Sequence, residues 1–362
     1  MLLPAGAAEW GETEEGLAMA TLLGHARLIA GALALAFMLM LSPPAGAQHV
    51  NPTAESVKEE QLLGELKRIT GECTIPDQRA CTLEQPAGRD WRWFHEVPLP
   101  WIGAIAILGM IGLVVLFYLV IGTVRISPHR SGRVMARFSA LERFAHWMAA
   151  VCFIILMLTG LNITFGKQLI LPLIGPEAFS AISLWGKYAH NYLSFPFTLA
   201  VVLIFVMWLR WNLPTRVDIE WMKQGGGFIG DKHPPADLFN VGQKMVYWGV
   251  VLGGGLLAAT GYVLMFPFYG TEIRGMQIAE IVHAVIALLL IALVLFHIYM
   301  GSVGEEGAFE AMWDGTVDEA WAKQHHSIWY DREIAKGNLP EAPPVGKVLP
   351  QGPPVGKPHP AE

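Results

Sequence analysis

Four histidines lie in otherwise apolar sequence: His146, His190, His283 and His297. Ionisable groups inside long apolar runs are costly to bury and mark functional sites. His283 and His297 are fourteen residues apart. At about 100° per residue the two fall within about 40° of a whole number of turns, so on one helix they share a face, roughly 21 Å apart in height. A proton relay would want carboxylates nearby, and the interiors of these runs contain none. Zinc wants three or four ligands per site, whereas each level here offers two. Two bis-histidine sites stacked at two depths of a helical bundle is an arrangement that holds two haems b.

The elements that position these rings are membrane spans. The chain has 362 residues, 53% hydrophobic and only 15% charged, against about 25% charged in soluble proteins. The net charge of −6 provides no basic face, so no nucleic acid partner is expected. Three cysteines are too few for a Cys-ligated cluster, so a metal centre must lean on histidine. Crossing about 30 Å of hydrocarbon takes about 20 helical residues. Five runs qualify: Trp101–Gly122, and the stretches between Arg143 and Lys167, Lys187 and Arg210, Lys244 and Glu272, and Glu280 and Glu305. The expected fold is an all-α integral membrane protein: a four-helix di-haem cytochrome b bundle over 135–302, plus one extra N-terminal transmembrane helix over 99–122.

Residues 1–47 read as a signal-peptide region. A basic start (His25, Arg27), a short apolar core from Leu28 to Leu41 and the small residues Ala45-Gly46-Ala47 predict translation from Met19 and cleavage after Ala47. The first and third links are rich in Lys and Arg, with Arg125, Arg130, Arg133, Arg137 and Arg143 in one and Arg210, Arg216, Lys223, Lys232 and Lys244 in the other. The positive-inside rule places them in the cytoplasm, which agrees with a mature N-terminus in the periplasm. Residues 48–98 form a periplasmic segment in which Cys73 and Cys81 can form a disulfide. Residues 303–362 form a cytoplasmic tail, amphipathic to Lys336 and Pro-rich from about 340, with Pro-Pro-Val-Gly-Lys repeated. On this topology His146 and His297 pair near the cytoplasmic face, and His190 and His283 near the outer face of the inner membrane.

An internal repeat accompanies the pairs. Arg143-Phe-Ala-His146-Trp147 through Thr159-Gly160 matches Lys244-Met-Val-Tyr247-Trp248 through Thr260-Gly261 at a constant offset of 101. Tyr247 stands where the first copy has His146, and only Ile204 or a neighbour stands opposite His297. Gly160, Gly253, Gly254, Gly255 and Gly261 allow flat groups or neighbouring helices to approach closely.

These residues resemble a family, the gamma (cytochrome b556) subunits of membrane-bound formate dehydrogenases. The likeness covers about residues 135–335. It is carried by Glu142-Arg-Phe-Ala-His146-Trp147, Asn240-Val-Gly242-Gln243-Lys244-Met245, His283 with Leu-Phe-His297-Ile-Tyr-Met300, and Trp321-Ala-Lys-Gln-His325-His326-Ser-Ile-Trp329-Tyr330. The resemblance implies an anchor for an iron–sulfur beta subunit and a molybdenum- or tungsten-containing alpha subunit. Electrons would pass from the outer haem (His190, His283) to the inner haem (His146, His297) and then to quinone at Asn240 and Gly242. The four-helix form of the family has no counterpart of residues 48–122, so helix 99–122 reads as an addition that clamps the beta subunit's anchor.

Two other readings stand beside this one. A hydrogenase or thiosulfate-reductase cytochrome would share the histidines and differ only in donor. A non-haem transporter would place polar groups near the midplane rather than near the two faces. In every reading the chain lacks a nucleophile or acid–base constellation. It would act as an electron-transfer subunit rather than a catalyst alone, with membrane lipid around it and a higher oligomer compatible with this arrangement.

Overall fold

The computed structural model describes residues 88–127, 129–227, 233–267 and 269–343. The expected signal region, the Cys73–Cys81 pair and the Pro-rich end beyond 343 lie outside the described residues. Helix α1 (Gly88–Glu96) leads into α2 (Pro98–Ile121), which starts with Pro in its first turn, where a missing N–H costs nothing. Helices α3 (Ala140–Leu169) and α4 (Leu171–Trp208) form an antiparallel pair; the chain kinks at Gly175, before Pro176. After the short α5 (Arg216–Lys223) come α6 (Val241–Trp248), a π turn over Gly249–Gly253 and α7 (Gly254–Met265) as one continuous span. Helix α8 (Ile273–Tyr299) then runs into a second π turn, Met300–Gly304.

Five helical runs are long and apolar enough to cross a membrane, and the protein is a multi-pass membrane protein. Their outward positions carry Leu113, Val120, Leu158, Val206 and Leu252 in exposed positions, as lipid contact demands, while backbone polar groups are satisfied within each helix. The helices are longer than the uncharged runs. Lys187 and Glu280, read from sequence as span boundaries, lie inside α4 and α8, and both line a large cavity between the helices. That cavity gives a charged side chain somewhere to go other than hydrocarbon.

Helix α2 lies along α8, with Phe117 edge-on to Phe296 and Tyr299 at 6.1 and 6.0 Å between ring centroids. Helix α3 starts with a capping box. Ser139 Oγ accepts from Glu142 N–H, and Glu142 Oε2 accepts from Ser139 N–H at 2.8 Å. Helix α6 starts the same way, with Asn240 and Gln243 in those roles. Ser139 and Asn240 differ by 101, as do Glu142 and Gln243, so the duplication extends to the caps. Phe138 and Phe239, also 101 apart, stack on one another at 5.9 Å.

The segment after α8, expected as a tail, is folded. Strand β2 (Thr316–Asp318) pairs antiparallel with β1 (Val134–Ala136), adding a two-stranded sheet to the expected all-α bundle. Gly315 enters this strand at φ +90°, and a Cβ there would fall 2.6 Å from the Phe138 carbonyl, so only glycine fits. Helices α9 (Ala308–Trp313), α10 (Glu319–His325) and α11 (Ser327–Ala335) follow. Trp321, Trp329 and Val317 join Phe138, Trp208 and Phe239 in one buried core.

Candidate functional site

The four histidines meet in pairs. His190 on α4 faces His283 on α8, with ring centroids 6.2 Å apart, and His146 on α3 faces His297 on α8 at 6.0 Å. Two imidazoles on either side of one metal, each with an ordinary metal–nitrogen distance of about 2 Å, have centroids roughly 6 Å apart once the ring radii are added. Both pairs therefore fit axial ligation of one iron each. No group of three His, Cys, Asp or Glu that could hold a metal ion occurs among the described residues.

The two pairs are supported differently. Thr159 Oγ1 donates to the Ile155 carbonyl at 2.7 Å and lies 2.9 Å from His190 Nδ1. Thr260 Oγ1 donates to Leu256 O at 2.7 Å and lies 3.0 Å from His283 Nδ1. With the hydroxyl hydrogen committed to a carbonyl, each threonine accepts from Nδ1–H, which leaves Nε2 as the bare nitrogen. At the other pair, His146 Nδ1 is buried without a protein partner.

A cavity of about 890 Å³ opens around His190 and His283, a size typical of cofactor sites. Gly160 and Gly261 form part of its wall. A Cβ on either would stand 3.3 Å from Cε1 of His190 or His283 respectively. Gly254 instead serves helix packing against Phe197 and Val201, and Gly255 meets nothing within 4 Å. Lys167 and Lys187 supply cationic groups to the cavity, and His95 also lines it. His146 and His297 do not line this cavity.

Asn240 and Gly242 open α6. The Asn240 Oδ1 accepts from Gln243 N–H at 2.9 Å, so what the side chain can offer a ligand is its amide N–H. Beneath it, Lys244 Nζ donates to both Asp218 carboxylate oxygens, at 2.9 and 2.8 Å, and to Leu213 O at 3.1 Å. Burial raises the Asp218 carboxyl, but the Lys244 ammonium and Thr215 N–H outweigh it and hold the group below its usual range.

The His325-His326 motif resolves into two unlike residues. His326 is fully buried. Arg137 Nη2 donates to its Nε2 at 3.2 Å and to Leu238 O at 2.6 Å, which leaves His326 Nδ1–H to donate to Asp237 O at 2.6 Å. Arg137 itself lies over Phe138, Trp321 and Trp329, 4.8 to 5.2 Å from their ring centroids. Burial lowers the Arg137 guanidinium to about 9, against Glu305 and Asp237, so it stays charged at neutral pH. His325 Nε2, by contrast, is buried with no protein partner. Spacing alone missed this division, because it depends on which ring faces Arg137.

A bundle of apolar spans that sets two facing histidine pairs on shared helices has the construction of a membrane cytochrome b. Residues 137–315 match the family described as prokaryotic cytochrome b561, and the chain belongs to that family. Membership implies haem b and membrane electron transfer. The nitrate-inducible formate dehydrogenase cytochrome b556(Fdn) subunit of Escherichia coli K12 is 29% identical over 210 residues, covering 56% of this chain and 93% of the relative. The cytochrome b556(fdo) subunit of the same strain's formate dehydrogenase is 29% identical over 206 residues, 56% and 94% of the two chains. The formate dehydrogenase cytochrome b556 subunit of Haemophilus influenzae is 30% identical over 202 residues, 53% of this chain and 80% of that one.

Proposed function

We propose that the chain is the membrane-anchoring cytochrome subunit of a formate dehydrogenase complex, carrying electrons through two haems b to quinone. Its partners would be an iron–sulfur subunit and a molybdenum- or tungsten-containing subunit. The single observation that carries the two-haem reading is the pair of His–His separations, 6.2 and 6.0 Å, at two levels of one bundle. The formate assignment rests on relatives named as formate dehydrogenase cytochrome b556 subunits.

When bound, haem b supplies a one-electron carrier at each level. His190 and His283 would hold iron at one level and His146 and His297 at the other. Thr159 and Thr260 fix the tautomer and rotation of the first pair, and Gly160 and Gly261 leave room beside those rings. The amide N–H of Asn240 and the bare backbone at Gly242 would bind a quinone carbonyl. The biased distribution of Lys and Arg supports a bacterial inner-membrane orientation with the N-terminus in the periplasm and the Asn240 end in the cytoplasm.

A reduced-minus-oxidised visible spectrum of anaerobic membranes tests this reading, with formate, hydrogen and dithionite as reductants in turn. Formate should raise a b-type α-band that added quinone bleaches. A band with hydrogen and none with formate would move the chain to the hydrogenase reading. No band with dithionite would end the cytochrome reading.

A further inference from the structure

A small cavity of about 20 Å³ lies against the Asn240 end of α6, lined by Asn240, Trp221, Glu305, Gln324, His325 and His233. That is room for about one water. One of its lining residues is His325, whose Nε2 is buried with no protein partner, and a buried polar nitrogen is costly unless water completes it. The His325 ring is held in place against Trp321 at 5.6 Å, and Trp321 Nε1 in turn donates to Glu305 Oε1 at 2.8 Å. His233 also lines the cavity; its ring lies 6.4 Å from that of His325 and it is exposed to solvent. The cavity therefore joins an exposed imidazole, a buried imidazole and the residue proposed above to bind quinone.

We propose that this cavity holds one ordered water and that His325 passes protons through it to quinone at Asn240, with His233 as the port from solvent. This rests on the quinone reading of Asn240 and Gly242. Reduction of quinone to quinol takes two electrons, supplied by the cytochrome, and two protons. For each proton delivered by this route, an N–H bond of the His325 imidazolium breaks towards the water and a water O–H bond breaks towards a quinone oxygen. A new O–H bond forms on that oxygen, and His325 is left neutral. It regains its proton from bulk water through His233. The titratable and charged groups around His325 are Glu305, His233, Arg137 and His326. Burial lowers the His325 imidazole, Glu305 opposes that, and His233 and Arg137 add to it, which favours prompt release of a proton. His326 cannot take the role, because both its nitrogens are committed.

The test uses the assembled complex and stopped-flow reoxidation of its reduced cytochrome by a short-tailed benzoquinone and a short-tailed naphthoquinone. His325→Gln should leave the reduced spectrum and dithionite reduction unchanged. Reoxidation should slow on the order of tenfold or more, with a larger solvent deuterium effect and partial recovery in added imidazole. A purely structural role would show neither the isotope effect nor the recovery. Wild-type rates in His325→Gln would overturn the proposal. If that variant does not assemble, His233→Gln decides: slower, imidazole-restored reoxidation supports the route, and an unchanged rate overturns it. Wild-type cytochrome that neither quinone reoxidises would sink the quinone reading itself and this proposal with it.

Discussion

Thr260 Oγ1 lies 3.0 Å from His283 Nδ1, and because the hydroxyl gives its own hydrogen to the Leu256 carbonyl, it accepts from the ring. Thr159 and His190 repeat it at 2.9 Å. Such a bond raises the basicity of the nitrogen on the opposite side of the ring and fixes its direction. Electron donation to iron favours the oxidised state, so with a haem held between His190 and His283, as proposed above, the threonines would lower its potential. The His146 ring has no such partner on Nδ1, so on the two-haem reading the difference would favour electron flow towards the His146–His297 end.

Thr260→Val should therefore raise one midpoint potential. A hydrogen bond worth about 1 kcal/mol corresponds to roughly 40 mV for one electron. Redox titration should show one of the two b-type waves moving by that order while the other stays, and Thr260→Ser should restore it. Both waves moving together would disprove the local assignment.

Gly261 makes a steric prediction. A Cβ added there would stand 3.3 Å from His283 Cε1, so the larger side chain of Gly261→Leu should force the ring from its position. Pyridine haemochrome analysis should give half the wild-type haem per chain, with the remaining signal belonging to the His146–His297 level. Full haem content would show that the ring can move aside.

Arg137 is the key to the folded tail. Arg137→Ala would remove the donor to His326 Nε2 and to Leu238 O and leave a gap between Trp321 and Trp329. A loss of about 3 kcal/mol or more is expected, visible as earlier proteolysis within 308–335 while the spans remain intact. Wild-type protease resistance would show that the aromatic cage stands without it.

His326 sets a pH dependence. Burial, then Arg137, hold its pKa well below the ordinary value, against the bond to Asp237 O. A depressed folded pKa means the unfolded segment binds the extra proton first. The stability is fully present above the unfolded pKa of about 6.5 and is lost as pH falls towards the folded value, by at most about 1.4 kcal/mol per pH unit for one proton. Hydrogen-exchange protection factors of the β1–β2 and α10 amides, which divide out the intrinsic slowing of exchange in acid, should fall between pH 6.5 and 5. His326→Asn should flatten that response.

Much of this was legible in the sequence because membrane burial leaves few polar residues to consider. The fourteen-residue spacing of His283 and His297 put both on one face, and the long apolar runs forced helices. The ends of those runs were less legible. Lys187 and Glu280 lie inside helices because an internal cavity receives them, and hydropathy does not register cavities. The folding of 308–335 was also hidden. Its stability comes from Arg137 and Phe138, which precede it by about 170 residues or more, and no local pattern encodes that distance. The capping boxes at Ser139 and Asn240 were written in the sequence, but their match at offset 101 carries weight only once both are seen to start spans.

The stacked Phe138 and Phe239 mark where the two copies of the helix pair meet. The His190–His283 pair takes the same position from each copy, so two separate identical chains could also build it. The His146–His297 pair is different. It takes His146 from one copy and His297 from the other, and symmetry would demand a twin made from positions 247 and 204. There the chain has Tyr247, whose hydroxyl donates to Phe205 O at 3.1 Å, and the buried Ile204. Two identical subunits would have to keep both such sites or neither. Joining the copies in one polypeptide breaks that obligation: one half retains the chemistry while its mirror is released to become ordinary core.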